Sequence, residues 1–460
     1  MSMHHPETHY LDWTYAFTAR LQGTSVQTSS FSARLEACAD RLRAETGSGV
    51  LPYLTMPFRA DLERDLPAVL DGVKAFKHMV LLGIGGSALG ARALQKAFFP
   101  AQDRPGHNGP WLWIADNIDA DSLTAWIAAL DPKDTVVVVI SKSGGTIETM
   151  AQYFLMRRWL RERLGADWKK HVVLVTDAAS GQLRAEAARE ALPSLPVPDH
   201  LGGRYSVLSA VGLLPAAFLG MDWKGLLSGA AEVAAPLLES GVSAPALARH
   251  PAWHMAVWAR ELMEHGYDEL IFFSYIPLWN YFGAWFSQLW AESLGKEGKG
   301  SMPVPAVGVT DQHSVNQMFL DGPRNKGCLF LTCSGLDKGP AFGTDAPEQW
   351  NWLADKRFGD LLQAEGLGTR MALCATKVPL VNVNMGKADE QAAGKLMGIC
   401  MSATILTGWL LDINPIDQPA VELGKRLANA RLGAPGLEEE HRRLEAFLAR
   451  EGQGGALQEF

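Results

Sequence analysis

Cysteine is scarce in this 460-residue sequence: Cys38, Cys328, Cys333, Cys374 and Cys400 are all it has. The number is odd and no pair has CxxC spacing, which argues against a disulfide framework or a cysteine-built zinc site. A reducing compartment, the cytoplasm, is expected. Long apolar runs are lacking too. No stretch reaches the roughly 18 uninterrupted apolar residues that a membrane span needs. The most apolar region, 271–290, is interrupted by Pro277, Asn280 and Gly283. The opening MSMHHPETHY has no apolar stretch of the kind that marks a secretory signal, so no such leader is expected. Basic excess is also missing. Lys and Arg number 42 against 50 Asp and Glu, a net charge of -8. Nucleic acid is a poor partner for such a chain, because neutralising a phosphate backbone takes a basic face. No membrane partner is expected either. One local basic pocket for a single small phosphate remains compatible with this charge.

What is present is material for a large core: 47% hydrophobic residues, with 20% charged. The length fits about two or three domains. Short apolar runs without polar alternation recur at 78–83, 111–115, 135–140 and 171–176, and again at 269–273, 304–309, 328–333 and 378–383. Helix-like stretches such as 88–99, 147–164, 281–294, 311–320 and 387–410 lie between them. Unbroken apolar strands separated by helices predict parallel sheets covered on both faces. The expected fold is α/β, with two doubly wound domains and mainly parallel five-stranded sheets. Helical segments are expected at both ends. The expected boundaries are a helical segment 1–60, a first domain 61–222, a helical bridge 223–260, a second domain 261–412 and a helical segment 413–460. The last residues, 450–460, are glycine-rich and read as a loose tail.

Ligands of open parallel sheets sit beyond the carboxyl ends of the strands, so the residues that follow each apolar run carry the most information. After the first run comes GIGGSALG (Gly83–Gly90), whose glycines let backbone N–H groups approach an anion at a helix start. The same string matches a dinucleotide fingerprint, and Asp116 ends the next run as a ribose-binding acid would. After the third run comes SKSGGTIET (Ser141–Thr149). Ser141, Ser143 and Thr146 offer hydroxyls, Lys142 a charge, and a helix starts at once. A helix cap needs only one such residue, and a donor-rich helix start is a ready anion site. No GxxxxGK[ST] is present, so a phosphate would be met here without the magnesium of a P-loop.

The pair GIGGSALG and SKSGGTIET resembles the sugar isomerase (SIS) domain, and more narrowly the glucose-6-phosphate isomerase family. The resemblance implies that Gly86, Ser87, Ser141, Lys142, Ser143 and Thr146 surround the substrate near its phosphate. Gly145 stands where that family usually has threonine. Four more segments follow in family order. GGRYSVLSAVGLLP (202–215) holds Arg204 before an apolar helix, and a buried arginine needs an anionic partner. In the family this arginine lies beside the C1–C2 end of the substrate. QLWAESLGKEGKG (288–300) sets Gln288 and Glu292 four apart among Trp285, Phe286, Leu289, Trp290 and Leu294. Such apolar company would desolvate the carboxylate and make it a better base. The other reading is an exposed glutamate paired with Lys296. The string matches the family's Q-x-x-x-E-S-x-G-K, in which this glutamate shuttles the proton between C2 and C1. TDQHSVNQMFLDGP (310–323) places His313 after a strand, in the position where the family has a ring-opening histidine donated by the neighbouring subunit. NPIDQPAVELGKRL (414–427) sets Gln418 and Lys425 seven apart, two turns along one face, with Pro419 at a helix start. In the family this lysine approaches the ring oxygen. Ala420 stands where glycine is usual.

The resemblance thus implies the reversible isomerisation of glucose 6-phosphate to fructose 6-phosphate, a step of glycolysis and gluconeogenesis. His313 and Lys425 would open the ring, Glu292 would move the proton, and Arg204 would stabilise the enediolate, with Gln288 and Gln418 among the substrate contacts. It implies a homodimer with shared sites and neither metal nor cofactor. Two other readings stand beside it: an NAD-dependent oxidoreductase built on GIGGSA and Asp116, and a non-catalytic regulator that binds a phosphosugar.

Overall fold

A computed structural model describes residues 8–238, 242–345, 347–451 and 453. The first residues of the chain and most of the glycine-rich tail lie outside the described residues. The chain divides into two compact units, Met1–Pro415 and Ile416–Phe460.

The larger unit carries ten strands: β1 (Tyr10–Tyr15), β2 (His78–Leu82), β3 (Trp111–Ala115), β4 (Thr135–Ile140), β5 (Val172–Asp177), β6 (Ser194–Val197), β7 (Glu269–Ser274), β8 (Met302–Val307), β9 (Lys326–Cys333) and β10 (Leu380–Met385). They form two five-stranded sheets. The first has the order β3-β2-β4-β5-β6 and is parallel throughout. The second has the order β1-β10-β9-β7-β8, parallel except where β1 joins. Each sheet starts at an inner strand (β2, β7), steps to one side (β3, β8), then crosses back to the other. The α/β expectation of two doubly wound, mainly parallel sheets holds. The central strands read as unbroken apolar runs because helices cover both faces; every residue of β4, TVVVVI, is buried.

The structure departs from the sequence reading at the sheet edges. The segment before residue 60, read as helical, opens with β1, which pairs antiparallel with β10. Its partner lies about as far away in sequence as the chain allows, so no local hairpin signal marks it. The edge strand β6, SLPV, is four residues long and carries Pro196. The edge strand β8, MPVPAV, carries two prolines, and an edge is where a strand tolerates the missing N–H.

Among the described residues one helix, Glu390–Leu410, is long and apolar enough to cross a membrane, but it is buried among neighbouring helices of the larger unit. It crosses the helix Trp223–Leu238 at two glycines. A Cβ on Gly394 would lie 2.0 Å from Leu226 O, and one on Gly229 would lie 1.8 Å from Gln391 O. Backbone packs directly on backbone there. The smaller unit holds a short turn at Pro419–Val421 and two helices, Glu422–Arg431 and Glu438–Leu448, joined by the ion pairs Arg426–Glu440 and Arg431–Glu445.

Two glycines in helices give opposite expectations. Gly394→Ala forces the crossing apart, and its urea midpoint falls by the equivalent of about 2 kcal/mol or more, as overpacking does. Gly368 has nothing within 4 Å of its Cβ position, so Gly368→Ala raises stability by about 0.5–1 kcal/mol through helix propensity alone. Equal effects from the two would refute the close-packed crossing.

Candidate active site

In the first sheet the chain leaves β2 for β3 on one side and later reaches β4 on the other. The crevice outside the carboxyl ends of β2 and β4 is therefore the topological switch point, where open sheets bind ligands. The two loops that end there are Gly83–Gly90 and Ser141–Thr146. Each runs into a helix, Leu89–Phe98 and Ile147–Leu164, and neither helix start has a side-chain cap. By contrast, Asp119 and Asp389 cap the helices Ala120–Ala129 and Glu390–Leu410. The uncapped starts leave N–H donors and positive dipole ends directed at the crevice.

The hydroxyls of the second loop converge. Ser141, buried, has its Oγ 2.9 Å from Thr146 Oγ1 and 3.5 Å from Ser143 Oγ. Gly144 holds φ +66, and a Cβ there would meet Leu183 N at 2.9 Å, so the turn requires glycine. Gly145 has open space around its Cβ position; nothing steric explains the absence of threonine. Lys142 is half-buried, and its ammonium makes no hydrogen bond or ion pair among the described residues. Burial lowers its pKa from the ordinary lysine value, while Asp177 and Asp199 pull the other way. Ser87, also half-buried, closes the short turn Gly85–Ser87 in the first loop.

Gly86 has a further duty. A Cβ on it would lie 2.2 Å from the carbonyl carbon of Gly203, so the first loop rests directly on the backbone that carries Arg204. Gly85 packs on Gln288 in the same way, with its Cβ position 2.9 Å from Nε2. Arg204 is buried. Its Nε donates to Ser293 Oγ at 2.7 Å, its Nη2 to Pro415 O at 2.8 Å and its Nη1 to Glu292 Oε2 at 3.3 Å. Gln288 Nε2 donates to the other oxygen of Glu292 at 2.9 Å. The alternative reading, a pairing of Glu292 with Lys296, does not form among the described residues. Lys296 Nζ instead donates to Ser293 O at 2.7 Å and Asn414 O at 2.6 Å.

The structure corrects the environment expected for Glu292. Trp285, Phe286, Leu289, Trp290 and Leu294 of the helix Asn280–Leu294 are buried in the core, and Phe286 stacks on Phe272 and Trp290. Glu292 itself is only partly buried, with its side chain 31% exposed. A cation and an amide hold the carboxylate; an apolar shell does not. A basic oxygen thus sits next to a fixed guanidinium, an arrangement suited to taking a proton from carbon while meeting the resulting oxyanion.

Three other sequence-predicted residues belong to other elements. His313 is exposed in the turn Thr310–His313, just past the edge strand β8, and its imidazole has no hydrogen bond or ion pair among the described residues. Lys425 belongs to the smaller unit, where it pairs with Glu422 at 2.7 Å. Gln418 precedes a 3-10 turn, so it and Lys425 are not successive turns of one helix, and Pro419 starts the 3-10 turn instead. Asp116 is bound by Arg92 through two contacts of 2.8 Å, which occupies the acid that a ribose would need. The sequence reading passed over Ser293, Tyr205 and Pro415. Ser293 stood inside the glutamate string, and Tyr205, whose hydroxyl lies 2.9 Å from Ser293 Oγ, followed the arginine. The Pro415 carbonyl is backbone and has no side-chain signal.

Known proteins share this sequence and this fold. The family model described as phosphoglucose isomerase matches residues 69–338. The chain is similar to the glucose-6-phosphate isomerase of Rubrobacter xylanophilus, 38% identical over 87% of this chain and 94% of that one. It is also similar to a glucose-6-phosphate isomerase of Thermus thermophilus, 34% identical over 90% and 98%. Among solved structures, a hypothetical protein of Thermus thermophilus superposes with a TM-score of 0.83 at 32% identity, covering 93% of this chain and 100% of that one. A glucose-6-phosphate isomerase from Chlamydia trachomatis shares the fold, with a TM-score of 0.73 at 20% identity over 96% and 92%.

The half-buried Lys142 gives a signed prediction. Its folded pKa lies below its unfolded one, so the unfolded chain binds more protons and stability rises with pH through the window below 10.5. Lys142→Met removes that dependence, melts higher than the wild type at neutral pH without added anion, and gains less from added sulfate. A variant that melts lower, and gains as much from sulfate as the wild type, would refute an anion-seeking lysine.

Proposed function

The chain belongs to the phosphoglucose isomerase family, and we propose that it interconverts glucose 6-phosphate and fructose 6-phosphate, with Glu292 as the base that moves the proton. The observation that carries this reading is the Glu292 carboxylate held between Arg204 Nη1 and Gln288 Nε2, beside a crevice whose two helix starts are free to take a phosphate. In the proposed reaction the phosphate sits on Ser141, Ser143, Thr146 and the backbone of the first loop, with Lys142 supplying charge. After ring opening by His313 and Lys425, Glu292 takes the C2 proton. The electron pair of the broken C–H bond forms the C1–C2 double bond, and the former carbonyl oxygen at C1 becomes an enediolate oxygen stabilised by Arg204. A proton passes from the C2 hydroxyl to the C1 oxygen, the electron pair left on the C2 oxygen forms the ketone, and the electron pair of the C1–C2 double bond takes the proton back from Glu292 at C1.

A homodimer is part of the same proposal. His313 is exposed beyond the edge of the second sheet, where its neighbour Gln312 bonds to Glu365 at 2.7 Å. The helix bearing Glu365, Phe358–Ala375, presents exposed Leu361, Leu367 and Met371, and Val315 and Met318 are exposed next to His313 in sequence. An exposed apolar helix face calls for a partner, and a second copy would cover it while delivering His313 to its neighbour's crevice. A cytoplasmic location fits five thiols, four of them buried, with burial raising the pKa of Cys38 to about 11.

Two measurements test these points. Glu292→Gln should bind fructose 6-phosphate yet lose turnover by about 10³-fold or more, since base and positioning are lost together; wild-type turnover, or solvent deuterium still entering C2 at the wild-type rate, would contradict the assignment. For the shared site, inactive Glu292→Gln and inactive His313→Ala chains are unfolded together and refolded. Mixed dimers contain one intact site, so about a quarter of wild-type activity should return if partners exchange freely. No recovery, with mixed dimers demonstrated by mass, would refute donation across the interface.

A further inference from the structure

The second sheet has a cavity of its own, of about 320 Å³, between β9 and β10 on one side and the helix Phe358–Ala375 on the other. Its floor is unusual for a sheet interior. Asn382 and Asn384 share one face of β10, a strand buried along its whole length. Thr332 on β9 and Ser334 just after it stand beside them. Polar side chains in such a place cost stability unless they are bonded. Thr332 Oγ1 lies 3.2 Å from both Asn382 Oδ1 and Asn384 Oδ1, and Ser334 bonds to Asn384 at 3.1 and 3.0 Å.

These bonds occupy the amide oxygens and leave donors. Asn382 Nδ2 donates to nothing among the described residues, and neither does the guanidinium of Arg370, which is half-buried in the cavity wall and makes no hydrogen bond or ion pair there. The Tyr275 hydroxyl is already engaged, 2.7 Å from Gln312 Oε1 and 2.8 Å from Thr369 Oγ1. Surplus donors and one cation require an acceptor-rich anion. A single cation suits a monoanion. Leu336, Leu362 and Leu367 give the cavity its apolar wall, with Tyr10, Cys333 and Gln363 also lining it.

We propose that this cavity binds a small organic monocarboxylate, its carboxylate forked onto Arg370 beside Asn382 and its body against the three leucines. The planar guanidinium matches a carboxylate through two parallel bonds, and the volume is at the lower end of ordinary small-molecule sites. The site is separate from the crevice of the first sheet and does not depend on the proposed isomerase reaction.

Calorimetry and ligand-observed NMR on the full chain test this with pyruvate and benzoate, using benzamide as the uncharged control and methyl phosphate as the phosphate control. The expected result is one bound carboxylate per chain, weakened at least about tenfold in both Arg370→Met and Arg370→Lys and unchanged in Glu292→Gln. Saturating fructose 6-phosphate should leave that binding in place. The proposal is overturned if neither carboxylate binds, if both Arg370 variants bind as the wild type does, if benzamide or methyl phosphate binds as well as benzoate, or if fructose 6-phosphate displaces the carboxylate.

Discussion

A buried guanidinium organises the first crevice. The Arg204 side chain is 1% exposed, and a charge taken that far from water needs compensation at every donor. Ser293, Pro415 and Glu292 supply it from three places in the chain. Each supplier is itself braced. Lys296 ties the end of the Glu292 helix to the Asn414 carbonyl, next to Pro415. The Tyr205 hydroxyl lies within bonding distance of Ser293 Oγ and Pro415 O. Gly86 brings the first loop onto Gly203, so the phosphate side of the crevice and the arginine share one backbone contact. The arginine therefore acts as a structural pin as well as a charge, and moving it would disturb both loops.

This arrangement sets a compromise for the proposed base. A carboxylate enclosed by aromatic rings would be a stronger base but would have no fixed partner. Glu292 has Arg204 on one oxygen and Gln288 on the other, which holds its orientation. At 3.3 Å, the Arg204 contact with Glu292 is longer than the same guanidinium's bonds to Ser293 and Pro415. It is the one a developing oxyanion could most readily compete for. Positioning, rather than desolvation, is the physical advantage this geometry offers.

Much of this was legible in the chain, for an identifiable reason. Apolar runs such as TVVVVI mark central parallel strands because those strands are buried on both faces, and glycine- or hydroxyl-rich strings mark loops where backbone must meet an anion. Periodicity also put Gln288 and Glu292 on one helical face, as found. It could not say how deeply that face is covered: the aromatic neighbours are buried, while the carboxylate itself stays partly exposed. Edge elements were illegible for a different reason. β1 is defined by a partner more than three hundred residues away, and short, proline-bearing β6 has no apolar run to reveal it. Backbone partners such as the Pro415 carbonyl have no residue type at all.

The two sheets carry the same strand order around their inner strands, and their helix starts use N–H groups in different ways. In the first sheet, Ala88 and Thr146 precede helices with no side-chain cap, so the N–H groups stay available. In the second, Asp360 accepts from the Arg357 N–H just before the helix Phe358–Ala375, and Asp389 accepts from the Ala392 N–H in the first turn of the helix Glu390–Leu410. A capping acid stabilises its helix by about 1 kcal/mol, and at the same stroke it removes the site where a phosphate would bind. Leaving the first pair uncapped gives up that stability unless a ligand restores it. Stability and binding compete for the same few N–H groups, and in this chain the competition is resolved helix by helix: Asp119 and Asp389 cap theirs, while the two helices at the switch point of the first sheet have no such cap.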